Sequence, residues 1–146
     1  MNEPWLEASG LHMAYHTMKR DVTVLRGVDL KVAPREVVAV TGGSGSGKTT
    51  LLNLLGSLDR PVSGSICWGG EEILSLRPVE LSRLRNQAVG FVFQFHHLLP
   101  DFTALENIMM PARIAGGSLS EARARAQELL SRVGLLDRAD HRPGEL

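Results

Sequence analysis

Between residues 36 and 58 the chain reads as a short apolar run, a glycine-rich loop and a leucine-rich segment, an order that admits few folds. Glu36-Val37-Val38-Ala39-Val40 is brief and almost wholly apolar, the pattern of a parallel strand buried on both faces. The next segment, Gly42-Gly43-Ser44-Gly45-Ser46-Gly47-Lys48-Thr49, satisfies G-x-x-x-x-G-K-[ST] at every fixed position. Beyond it, Lys48 to Leu58 sets Leu51, Leu52, Leu54 and Leu55 at helical spacing, and Pro61 with Gly64 marks a turn.

Such a loop must turn its backbone N–H groups inward around phosphate oxygens, with dihedrals and a closeness of approach that a Cβ would obstruct. A helix beginning near Lys48 aims its positive dipole end at the same anion. Lys48 supplies a mobile ammonium to the β and γ phosphates, and the Thr49 hydroxyl suits the Mg²⁺ that accompanies a nucleotide. Thr50 is carried with the site, although one hydroxyl is enough for the metal and its simpler role is to start the helix. The plain alternative is a Gly/Ser linker before a helix cap; average residue frequencies produce the motif about once in 100 to 200 chains of this length.

With 146 residues, 43% of them apolar, the chain is long enough for one globular domain or part of one. Lys+Arg and Asp+Glu both number 16, so no basic surface points to nucleic acid and any anion site must be local. The single cysteine, Cys67, has no internal partner and no metal-ligand spacing around it; it reads as a buried small apolar residue. The first ten residues lack the basic start and apolar core of a secretory signal. No apolar run approaches the ~20 residues that span a bilayer, so membrane association is expected through a partner and not by insertion.

Elsewhere, Leu6 to Tyr15 and the alternation of Val22, Val24, Val28, Leu30 and Val32 predict an antiparallel edge ribbon. Ser65 to Trp68 before Gly69-Gly70 predicts a hairpin strand, and Val89 to Phe93 a second buried core strand with Gln94 at its end. A helix is expected from about Thr103 to Ile114, kinked at Pro111. Another begins at Ser118, where Glu121 completes a capping box, and Gly134 closes it. On that helix Glu121 with Arg125 and Glu128 with Arg132 read as solvated pairs. The loop from Gln94 to Phe102 carries Phe95, Leu98, Leu99 and Phe102, a surface awaiting a partner unless its aromatics tuck it onto the helices. His96-His97 lacks a third ligand for a metal and is better read as shaping that surface.

Val24 to Val28, Gly42 to Leu55, Pro61 to Gly64 and Val89 to Leu105 resemble the ABC ATPase family in content, order and spacing. The resemblance implies an α/β fold: a P-loop NTPase core with an N-terminal antiparallel β-ribbon, about residues 1–94, and the start of a helical subdomain, about residues 95–146. It implies ATP and Mg²⁺ as ligands. Tyr15 falls where the family stacks an aromatic on adenine, and Gln94 where a glutamine approaches the metal and assists hydrolysis. Both fit: a π face binds any purine, and an uncharged amide can ligate Mg²⁺ or its water.

Arg85-Asn86-Gln87, the run from Gln94 to Asn107, and His141-Arg142-Pro143 resemble more narrowly the lipoprotein-releasing branch of these ATPases. The macrolide-efflux and cell-division branches share much of this pattern. Implied partners are transmembrane subunits and a second copy of the ATPase, at the cytoplasmic face of the bacterial inner membrane. In the family, a Ser-Gly-Gly signature, an apolar strand ending in Asp-Glu and a switch histidine follow a Glu-Leu like Glu145-Leu146. No apolar run here ends in Asp-Glu, so the C-terminal half of the ATPase domain is expected to be missing, with no complete catalytic set. The core strands at 37–40 and 89–93 would then show apolar edges. A nucleotide-binding module without turnover and a soluble P-loop phosphotransferase are the competing readings.

Overall fold

The computed structural model describes residues 3–16 and 21–146. Its first strand, β1 (Leu6–His16), pairs antiparallel with β2 (Asp21–Val32), the ribbon that alternation predicts. β1 buries Ala8, Leu11 and Met13, a set that changes parity. The register shifts between Ala8 and Leu11, where Gly10 takes φ 57°; one extra residue in a strand returns the following side chains to the core face. β3 (Ser63–Trp68) pairs with the other edge of β1, and the two-residue β4 (Glu71–Glu72) turns back on β3, giving the order β2-β1-β3-β4. Ile66 and Trp68 are buried.

Cys67 is half-buried rather than buried, because alternation along β3 turns it away from the face of Ile66 and Trp68. Partial burial pushes the pKa of its thiol up, and Glu72 and Glu7 push it further, which keeps it an unreactive thiol.

Helix α1 (Lys48–Leu55) starts where expected and buries Leu51, Leu54 and Leu55, while Leu52 faces solvent. It stops at Leu55 rather than Leu58. Gly56 caps it, Ser57 turns to φ 57°, and the Leu58 amide donates to the Asn53 carbonyl at 2.8 Å. Arg85 holds this turn through bonds to the Ser57 carbonyl and hydroxyl at 2.7 and 3.2 Å. The buried Trp68 indole N–H donates to the Leu55 carbonyl at 3.0 Å, tying the helix end to β3.

Residues 37–40 and 89–93 do not form the strands expected of them. Val37 is 95% exposed and Val92 fully so, with Val38 and Phe93 also exposed. Parallel strands are stabilised by a ladder neighbour and by cover on both faces. Among the described residues no segment pairs with either run, so apolar composition alone leaves them irregular. Apolar exposure expected at these runs is present, but on irregular segments and not on strand edges.

Contacts divide the chain into two units, Met1–Arg85 and Asn86–Leu146, with the boundary inside helix α2 (Pro78–Ala88). α2 is not among the elements expected from the sequence; its apolar side is only Leu81, Leu84 and Ala88, all half-buried, and it buries none of its residues fully. Its sequence signal is Pro78 at the start, with Glu80 reaching back to the Arg77 amide at 3.1 Å.

In the second unit, α3 (Ala104–Ile114) and α4 (Leu119–Arg132) pack Ala104, Leu105 and Met109 against Ala122, Ala126 and Leu130. α3 continues through Pro111 to Ile114, and the Asn86 amide donates to the Pro111 carbonyl at 3.1 Å. Val133 is the C-cap of α4, and Gly134 follows at φ 72°. Glu121 does not pair with Arg125. Its carboxylate is engaged by the Ser118 hydroxyl at 2.6 Å in the capping box, and Arg125 pairs with Glu128 instead.

Thr103 and Glu106 form a second capping box at α3. Hydrogen bonds from Thr103, chiefly its backbone amide, hold Glu106 below the ordinary carboxylate value of 4.5; those from Ser118, chiefly its hydroxyl, do the same for Glu121. A carboxylate with a depressed folded-state pKa stabilises the fold above its unfolded value, and that contribution is lost as pH falls through the lowered value. Ser118→Ala is therefore expected to destabilise the chain by about 1 kcal/mol at neutral pH. The difference from wild type should shrink as pH drops below 4.5, read as converging urea midpoints.

Candidate nucleotide-binding site

Gly47, the N-cap of α1, sits at φ 92° against β2. A Cβ there would lie 2.9 Å from Val24 Cγ1 and 3.1 Å from Leu25 Cδ2, so only glycine lets the loop close onto the strand. At the loop's other end, a Cβ on Gly42 would meet Ser46 Oγ at 2.7 Å. The Ser46 amide donates to the Gly43 carbonyl at 3.3 Å. Among the described residues no acceptor meets the amides of Gly45, Gly47, Lys48 or Thr49, no side chain caps α1, and no acid lies in its first turn. The helix thus presents uncompensated N–H groups and the positive end of its dipole to the loop.

Lys48 Nζ donates to the Gly42 and Gly43 carbonyls at 2.8 and 2.7 Å. Two of the three ammonium protons are used in holding the side chain over the loop, leaving the third for an anion. Val40, Thr41, Gly42, Ser46, Gly47 and Lys48, with Leu25, Val28 and Leu51, line a cavity of about 220 Å³. Ser44 and Gly45 are exposed along the loop. Thr49 is exposed in the first turn of α1, and Thr50 is half-buried.

Tyr15 lies near the end of β1, opposite Val22, with the side of β2 that meets Gly47 two to three positions further on. The tyrosine is 40% exposed, and its hydroxyl donates to Asp59 Oδ2 at 3.1 Å. Nothing in sequence spacing links Asp59 to Tyr15, 44 positions away.

Gln94 belongs to the second unit, at an exposed bend directly after residues 89–93. Phe95, Leu98, Leu99 and Phe102 that follow are all exposed, as the surface reading expected. Asn107 holds the backbone of the loop, and Phe102 lies beside Met109 and Met110 of α3. The Asn107 side-chain oxygen accepts from the Leu99 amide at 2.8 Å, and its nitrogen donates to the carbonyls of Leu99, Phe102 and Thr103 at 2.9 to 3.1 Å. An amide residue within a helix, four after its cap, is the signal that could have revealed this. His97 takes φ 50° and sets its ring edge-on to Phe93 at 4.9 Å. No metal-binding cluster of His, Cys, Asp or Glu occurs among the described residues, and no described helix is long and apolar enough to cross a membrane.

A glycine-bound loop capped by its own lysine, between an antiparallel ribbon and a short helix, defines a P-loop nucleotide-binding domain. The family model described as ABC transporter matches residues 25–146, and the chain belongs to that family. It is 53% identical over 141 residues to the lipoprotein-releasing system ATP-binding protein LolD of Geobacter metallireducens, a match covering 97% of this chain and 63% of the relative. The protein of the same name from Hahella chejuensis is 48% identical over 146 residues, covering 100% of this chain and 63% of its own length. These names agree with the branch that residues 94–107 resemble. Among solved structures, the ATP-binding cassette MJ0796, a dimer in a post-hydrolysis state bound to ADP and Pi, superposes with a TM-score of 0.88 at 34% identity. That match covers 97% of this chain and 62% of the cassette, and supports the α/β ABC ATPase fold. The chain therefore spans about 63% of the length of the curated relatives it matches.

Proposed function

We propose that this chain is the nucleotide-binding portion of an ABC transporter ATPase that drives lipoprotein release from the bacterial inner membrane. The observation that carries the reading is Lys48, fixed on the carbonyls of Gly42 and Gly43 beside the unpartnered amides that open α1. ATP is the ligand: the amides of residues 42–49 and the ammonium neutralise its phosphates, and Tyr15 stacks on adenine. Thr49 and Gln94 would hold Mg²⁺, which when bound draws phosphoryl oxygens together and offsets their charge.

The relatives' name and the dimeric, ADP-bound cassette support a subunit that pairs with a second copy and works with membrane-spanning subunits from the cytoplasmic face. The exposed apolar loop at residues 95–102 is the surface those subunits would meet. Calorimetric titration of the chain with Mg·ATP tests the binding claim, and phosphate release from the same sample separates binding alone from turnover. Saturable ATP binding is expected; its absence in a folded sample refutes the reading. Tyr15→Ala should weaken binding by about 1 to 3 kcal/mol, while Tyr15→Trp largely preserves it. An equal loss in both would assign the residue to packing.

A further inference from the structure

We infer that Asp59 is a positioning residue for Tyr15, holding the phenol ring in the orientation that receives the purine base of the nucleotide. The role presupposes the adenine stacking proposed for Tyr15. A tyrosine 40% exposed near the end of a strand is only partly fixed by packing, and its ring orientation then depends on what its hydroxyl touches. That hydroxyl donates to Asp59 Oδ2 at 3.1 Å. Asp59 is itself held: its Oδ1 accepts the Arg60 amide at 2.8 Å, and the Arg60 guanidinium is anchored on the Leu74 carbonyl at 2.8 Å.

The backbone around Asp59 closes onto α1, with the Leu58 and Asp59 amides both directed at the Asn53 carbonyl, at 2.8 and 3.4 Å. α1 begins with Lys48. One rigid helix, about 12 Å long at 1.5 Å per residue, therefore references both the ammonium that meets phosphate and the carboxylate that steers the aromatic. A base stacks on the ring face and does not need the hydroxyl, so removing the hydroxyl or its acceptor affects affinity only through ring orientation.

The test is ATP affinity of the chain by calorimetry, with inorganic tripolyphosphate, which lacks a base, as the companion probe. Asp59→Ala and Tyr15→Phe are each expected to weaken ATP binding about three- to tenfold. Their combination should be no worse than either alone, and Asp59→Asn, which keeps an acceptor oxygen, should bind close to wild type. Tripolyphosphate affinity should stay the same in all four, a readout that a merely structural Asp59 would move. Should Asp59→Ala fail to fold, Tyr15→Phe breaks the same bond and leaves the Asp59 to Arg60 contact in place.

If Tyr15→Ala weakens ATP binding but Tyr15→Phe and Asp59→Ala do not, stacking stands and the positioning role falls. If Tyr15→Ala binds ATP like wild type, the stacking reading falls and takes the role of Asp59 with it. An equal loss of ATP and tripolyphosphate affinity in Asp59→Ala assigns the residue to the fold and overturns the inference.

Discussion

Lys48→Ala is expected to weaken ATP binding ten- to a hundredfold, about 1.5 to 3 kcal/mol for a charge-assisted phosphate contact, while leaving the unfolding transition nearly unchanged. The asymmetry follows from what the side chain touches. Its two bonds go to carbonyls of an exposed loop, which water can satisfy once the ammonium is gone. Calorimetry with Mg·ATP and a urea titration on the same preparation check both halves. Undiminished affinity in a folded Lys48→Ala sample would remove the phosphate role; a large drop in stability would mean that the lysine supports the loop instead.

Gly64→Ala should produce the largest stability loss, about 2 to 4 kcal/mol, from a left-handed backbone and steric overlap acting together. Gly64 stands at φ +104° in β3, and a Cβ there would lie 2.6 Å from the Gly10 carbonyl oxygen and 2.7 Å from that of Ser9. Both are backbone atoms of β1, so relief requires the two strands to part. Gly69→Ala is the control: its φ is +56° but nothing lies within 4 Å, so about 1 kcal/mol is expected. Equal midpoint shifts for the two variants would show that backbone conformation alone sets the loss.

The elements legible from sequence were those whose cause is local. The ribbon follows from alternation and the phosphate loop from glycines before a lysine; the cap at Ser118 follows from a hydroxyl three residues ahead of Glu121. Residues 37–40 and 89–93 differ from expectation because strand formation depends on a neighbour elsewhere in the chain, which an apolar run alone does not supply. α2 is hard to read because its apolar side, Leu81, Leu84 and Ala88, is short and only half-buried, and α1 ends before Leu58 because Ser57 takes a positive φ that its residue type does not signal. At the site, the loop residues could be listed in advance, but the bond from Tyr15 to Asp59 could not, being a product of tertiary folding.

Asn107 has a consequence for how fast and how tightly the loop before α3 can be engaged. Four bonds from one amide side chain set the backbone from Leu99 to Thr103 while Leu98, Leu99 and Phe102 stay exposed. A partner docking there would find the main chain already arranged and would lose little chain entropy on ordering it. Association would then run at rates typical of rigid surfaces, about 10⁵ to 10⁷ M⁻¹s⁻¹, with partner choice expressed mainly in the lifetime of the complex.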